Sequence, residues 1–218
     1  MTTLNALMAN AKKEFDLTEP ADQESLYALT SALLELGELT PEALQEAARQ
    51  SNAPIEYKLA AKMVDSRQYA LSVERPVKIG VVFAMWGENN RLYPKSDTNP
   101  NGEASLNTKI SQLNWITSGT PIDWTLYAVD DGCPHESGKI AQKISNAGGY
   151  DKQVKVLFLE DALPSGGGPL RSLTSVNDSR KAGAIILGCM QAISDGSDAV
   201  IYTDADNSVH LGPVSYTH

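Results

Sequence analysis

Val77-Lys78-Ile79-Gly80-Val81-Val82-Phe83-Ala84 decides the fold of this chain. The run is dense in β-branched residues, and only Lys78 and Gly80 break its apolar character. It reads as a strand buried on both faces, as in a parallel sheet. Working outward, Trp124 to Val129 reads as a second strand, Val154 to Leu159 as a third and Ala199 to Thr203 as a fourth. Helical stretches are expected between them, at about Glu103 to Ser118, Gly138 to Asn146 and Asp178 to Ser194. Strands alternating with helices predict an α/β domain with a mostly parallel sheet and helices on both faces. Ser165-Gly166-Gly167-Gly168-Pro169 is expected to be a mobile loop.

Before Arg75-Pro76 the period is different. Leu26, Leu29, Leu33 and Leu36 recur at three- and four-residue spacing, which puts them on one helical face. Gly37 is placed to end that helix, and Thr40-Pro41 looks like an N-cap followed by proline at the first helical position. A further helix is expected to start at Pro54, with Ile55, Leu59, Ala60 and Met63 apolar. The sequence therefore divides into a small helical module, residues 1–75, and an α/β domain, residues 76–218. Amphipathic helices of this kind are packing surfaces. They would pack on the second domain or, forming a homo-oligomer, on a second copy of the chain.

Composition narrows the function. The chain has 218 residues, 42% hydrophobic and 21% charged, as in a soluble globular protein. Lys and Arg total 18 against 27 Asp and Glu, a formal charge of -9. With no basic run, nucleic acid is not an expected partner. A phosphorylated ligand would need local neutralisation, for which a divalent cation is suited. No apolar stretch approaches the ~18–20 residues of a membrane span, and Met1 to Asn5 lack the features of a secretory signal. Cys133 and Cys189 have no zinc or disulfide spacing and read as reduced thiols. A cytoplasmic location is expected.

In an open parallel sheet, ligands bind beyond the carboxyl ends of the strands. Glu88 follows the first strand, Asp130-Asp131-Gly132 the second, and Asp204-Ala205-Asp206 the fourth. Carboxylates brought to one edge repel each other unless neutralised. Mg²⁺ or Mn²⁺ with a diphosphate would do so, because hard cations take oxygen ligands. Asp204 and Asp206, two apart, can address one site and are the expected metal ligands. Arg180 and Lys181 are placed in the first turn of a helix capped by Asn177 or Asp178. Cations are unfavourable there for the helix itself, and a diphosphate clamp would explain them.

These segments resemble a known family. Ala128-Val129-Asp130-Asp131-Gly132-Cys133 resembles the VDDGS segment of family 2 glycosyltransferases of the GT-A fold. Asn177 to Gly188 is similar to the Asn-x-Gly-Lys-Gly-x-Ala helix of the polyprenyl-phosphate sugar synthases in that family. Asp195 to Asp206 is similar to their Gly-Asp-Tyr-x-x-Phe-x-Asp-Ala-Asp segment, and Val81 to Leu92 to their opening Pro-x-Tyr-Asn-Glu strand and turn. Ala84 and Gly87 stand where the family usually has proline and asparagine. The resemblance implies a GT-A, Rossmann-like domain that transfers a sugar from a nucleoside diphosphate sugar to an acceptor hydroxyl, with Mn²⁺ or Mg²⁺. It implies that Glu88 and Asp130 or Asp131 meet the base and ribose. Arg180 and Lys181 would lie near the diphosphate, and Asp204 and Asp206 at the metal and sugar-phosphate end.

In that family the acceptor-binding half and the catalytic base normally follow the Asp-Ala-Asp segment, so the resemblance implies a chain truncated to its donor half. No general base is identified. No carboxylate follows Asp206, and His210 reads as an exposed loop histidine with a minor claim to be a ligand or base. The acceptor and the base of the nucleotide are not given by the sequence. Two other functions fit parts of the pattern. Arg91-Leu92-Tyr93-Pro94 is similar to the Arg-x-x-Pro of sugar nucleotidyltransferases, although no glycine-rich turn precedes it. A non-catalytic nucleotide-binding or scaffold domain is the other. A Rossmann dehydrogenase is not expected, since no GxGxxG follows the first strand.

Overall fold

The computed structural model describes residues 3–37, 40–164 and 167–214. The helices before the sheet are α1 (Leu4–Asn10), α2 (Pro20–Glu35), α3 (Pro41–Ala48) and α4 (Ile55–Ser72). They are followed by β1 (Val77–Met85), α5 (Asn89–Leu92), α6 (Ser105–Thr117), β2 (Ile122–Asp130), α7 (Ser137–Gly148) and β3 (Val154–Phe158). Three short 3-10 turns lead to α8 (Ala182–Ser194), β4 (Ala199–Tyr202) and α9 (Leu211–Val214). Ser165 and Gly166 of the expected mobile loop lie outside the described residues, and Gly168–Ser172 forms one of the 3-10 turns.

Two compact units result. One holds the chain up to Glu74, Gln112–Thr120 and the segment from His210 on; the other holds Arg75–Ser111 and Pro121–Val209. The helical unit thus takes in two segments from beyond residues 1–75. Its core is built on the predicted α2 face. Leu26 and Leu33 are fully buried with Leu44, Tyr57, Ala60 and Met63, and Leu29 and Leu36 pack at the margin. Thr40 caps α3, its side chain accepting from the Ala43 N–H at 3.3 Å. Gly37, at φ 61°, lies just beyond the end of α2, in the left-handed conformation that glycine adopts without strain.

The α/β unit carries an all-parallel sheet of order β3-β2-β1-β4. Its long central strands, β1 and β2, are buried along most of their length, as their apolar runs require. Helix α8 lies against the sheet at close range. A Cβ on Gly188 would fall 2.4 Å from Val82 Cγ1, and one on Gly80 would fall 2.6 Å from Ala192 Cβ. Neither position has room for a side chain. The strand order runs outward from β1 through β2 to β3 and then returns to the other side of β1 with β4. The reversal between β1 and β4 is where an open α/β sheet leaves a crevice at its carboxyl edge. No helix among the described residues is long and apolar enough to cross a membrane.

Candidate functional site

The carboxyl ends of β1, β2 and β4 and the entry to α8 enclose a cavity of about 470 Å³. β1 contributes Met85 and, just beyond it, Trp86 and Glu88. Asp131 and Gly132 come from the end of β2, Asn177, Arg180 and Lys181 from the approach to α8, and Asp204 and Asp206 from the end of β4. Of the sequence-predicted residues, Glu88, Asp131, Arg180, Lys181, Asp204 and Asp206 are brought together here. Asp130 is not on the wall.

The two adjacent aspartates do different work from open ligand groups. Asp130 is 5% exposed. Its Oδ1 accepts from the Cys133 N–H at 2.7 Å and its Oδ2 from the Gly138 N–H at 2.6 Å. It therefore satisfies an orphan donor at the start of α7, where a negative charge is favourable. Asp131, also buried, accepts from the Ser179 hydroxyl and from the Lys181 N–H, the latter at 2.7 Å. It faces the cavity while bracing the approach to α8.

That brace shifts the helix start. α8 begins at Ala182, so Arg180 and Lys181 precede the first turn instead of lying in it. Both have left-handed backbone, φ 45° and 78°. Asn177 and Asp178 belong to a 3-10 turn, and Ser179 Oγ accepts from the Gly183 N–H at 3.0 Å. The body of α8 follows the helical stretch expected to end at Ser194. Its N-terminus is set by Asp131, 50 residues earlier in the chain, which no local pattern reports.

Lys181 reaches across to β4. Its Nζ lies 2.5 Å from Asp204 Oδ1, which also accepts from the Tyr202 hydroxyl at 2.7 Å. The Asp204 carboxylate holds the Lys181 ammonium above the usual lysine range, helped by Tyr202. In return Lys181, then Tyr202, hold Asp204 below the usual carboxylate range. Both partners are about half exposed, so water screens the pair and it is easily exchanged. Burial pushes Asp206 up. The two hydrogen bonds from Ser208, with the charges of Lys109 and Arg91, outweigh that and leave its carboxyl below the ordinary value. Arg180 is exposed and has no hydrogen bond or ion pair among the described residues.

Sequence reasoning missed the layer behind these groups. Arg91 pairs with Glu88 at 2.8 Å and with Glu103 at 3.1 Å. Glu103 in turn accepts from the Asn207 N–H at 2.8 Å, and its carbonyl accepts from Asn207 Nδ2 at 3.0 Å. Lys109 lies beneath Asp206, its Nζ donating to the Asp206 carbonyl at 2.6 Å. Burial pushes this lysine down to about 8, against the pull of the nearby carboxylates. Trp86 at the cavity wall is 60% exposed, a large flat apolar face left open. His210 departs from its reading. It is 2% exposed, belongs to the helical unit, and its Nδ1 accepts from the Gly212 N–H at 2.9 Å. It does not line the cavity.

A divalent cation in the cavity would draw on these carboxylates. No cluster of three His, Cys, Asp or Glu side chains suited to a metal exists among the described residues. Asp204 and Asp206 each keep Oδ2 without a hydrogen bond among those residues. One or two carboxylates completed by phosphate oxygens is a normal arrangement for Mg²⁺, and Asp204 and Asp206 are two carboxylates lining one cavity.

Comparison with known proteins adds no relative. No protein-family model matches the chain, no curated protein matches it, and no solved structure matches it. Function rests on the geometry of the cavity.

Proposed function

We propose that the cavity binds a nucleoside diphosphate sugar with Mn²⁺ or Mg²⁺, and that the chain serves a glycosyltransferase of GT-A type. The observation that carries this is the convergence of three strand ends and two cations on one cavity at the sheet's reversal. Each element has a match in such a donor. Trp86 offers a stacking face to a base, and Glu88 an acceptor for base or ribose donors. Unpaired Arg180 and exchangeable Lys181 supply positive charge for the diphosphate. Asp204 and Asp206 present free oxygens beside them. In the transfer, the bond from the sugar's anomeric carbon to the diphosphate breaks and a bond to the acceptor oxygen forms, with the acceptor proton released. The bound cation would supply Lewis-acid stabilisation of the departing diphosphate. Arg180 and Lys181 orient that group and share its charge.

Arg91 argues against the sugar nucleotidyltransferase alternative. Both its ion pairs are to Glu88 and Glu103, and it is not on the cavity wall.

The test is a thermal-shift panel of UDP, GDP, CDP and ADP and their sugars, with and without Mn²⁺. A ligand at a hundred times its dissociation constant stabilises by about 2.7 kcal/mol. A metal-dependent shift for one nucleotide is expected, lost in Asp206→Ala with the fold intact. No shift with any of them would remove the donor-site reading and favour a scaffold domain.

A further inference from the structure

Lys109 is the one cation among the described residues that is fully buried, at 1% exposure. It occupies an α6 position flanked by buried Leu106 and Ile110, where an apolar residue would pack without desolvating a charge. Its Nζ donates to the Asp206 carbonyl at 2.6 Å, lies 3.5 Å from Asn207 Oδ1, and sits 5.7 Å from the centre of the Phe83 ring. No carboxylate pairs with it directly among the described residues. A buried ammonium without a counter-ion is strongly unfavourable. The carboxylates whose fields act on it are Asp206, Glu103, Asp204 and Glu88. Three of these four line the cavity. The charge of Lys109 therefore belongs with the acidic strand ends and not with the core around its stem.

We propose that Lys109 is a positioning residue for the cavity. Its fixed charge beneath the strand ends offsets Asp204, Asp206 and Glu88, and its hydrogen bond holds the turn that carries Asp206. The inference rests on the reading of the cavity as a nucleoside diphosphate site. Its consequence is that the acidic edge does not gather a divalent cation unaided. The cation is retained once a diphosphate adds negative charge of its own.

The test is titration of Mn²⁺ alone into the full chain, followed by electron paramagnetic resonance of the free ion. Lys109→Gln keeps a donor for the Asp206 carbonyl and drops the charge; Lys109→Arg keeps the charge. The glutamine variant is expected to bind Mn²⁺ about tenfold more tightly than the unaltered chain. The arginine variant is expected to stay within about twofold of it. A purely structural lysine would leave Mn²⁺ affinity unchanged or lower it as Asp206 loosens. Equal or weaker binding by the glutamine variant, including no binding by either protein, overturns the proposal. So does an equal gain in the arginine variant. If the glutamine variant does not fold, melting with and without Mn²⁺ decides. Recovery of the folded state by Mn²⁺ supports the proposal, and failure to fold in both overturns it. The nucleotide panel judges the donor-site reading separately, because the Mn²⁺ comparison needs no nucleotide.

Discussion

Both units bury a carboxylate against backbone donors, and in the α/β unit a second acid beside it faces a cavity. In the helical unit, Glu56 is 2% exposed and accepts from the Lys12 N–H at 2.6 Å and the Ser25 hydroxyl at 2.5 Å. It ties the start of α4 to the loop after α1, and its surroundings close over it. In the α/β unit, Asp130 does the same for α7, but its neighbour Asp131 faces open space with Glu88, Asp204 and Asp206. A buried acid alone therefore marks a brace, which both units need. What marks a site is acids from several strand ends meeting cations from a helix approach around a volume that none of them fills.

The comparison can be broken first at Asp130. If it is a brace, Asp130→Ala leaves one buried and one part-buried N–H group unsatisfied and should destabilise the fold by about 4 kcal/mol. Nucleotide binding per folded molecule should be kept. A variant with unchanged melting and lost binding would make Asp130 part of the site.

The helical unit offers the next effect, in acid. Burial pushes His210 down to about 4, and its Nε2 has no hydrogen-bond partner among the described residues. The unfolded chain takes up this proton near 6.5 and the folded chain does not. Stability is full above 6.5 and falls as pH drops from there toward 4. The loss is on the order of 3 kcal/mol over that window. It should be read as the difference between the unaltered chain and His210→Phe, since other acids titrate in both. Identical pH profiles for the two would sink it.

The smallest effect sharpens the contrast at the cavity. Lys181→Met removes a half-exposed pair, so melting should move little. Affinity for the nucleotide found in the panel should fall about tenfold. A large loss of stability with binding unchanged would turn Lys181 into another brace.

The sheet was legible in the sequence because its two central strands are long apolar runs whose physical cause is local. Val77–Met85 and Ile122–Asp130 each extend their predicted strands by one to three residues. The carboxylates at the strand ends were legible for the same reason, since a strand's end fixes where its next residues go. What was not legible depends on distant partners. The start of α8 is set by Asp131, the Asn207 turn by Glu103, and the burial of Lys109 and His210 by packing. Lys109 in Asn107-Thr108-Lys109-Ile110 looks like any solvated helix lysine, and His210 like any loop histidine.

The left-handed backbone at Arg180 and Lys181 has an evolutionary consequence. A residue with a Cβ is disfavoured there by about 1 kcal/mol or more, a strain that glycine does not suffer. Libraries randomised at these two positions should therefore drift in opposite directions. Selection for heat resistance alone would enrich glycine and asparagine, whereas selection for ligand capture would restore arginine and lysine. The conflict between the two outcomes would measure how much folding stability this chain gives up to hold two positive charges at the mouth of its cavity.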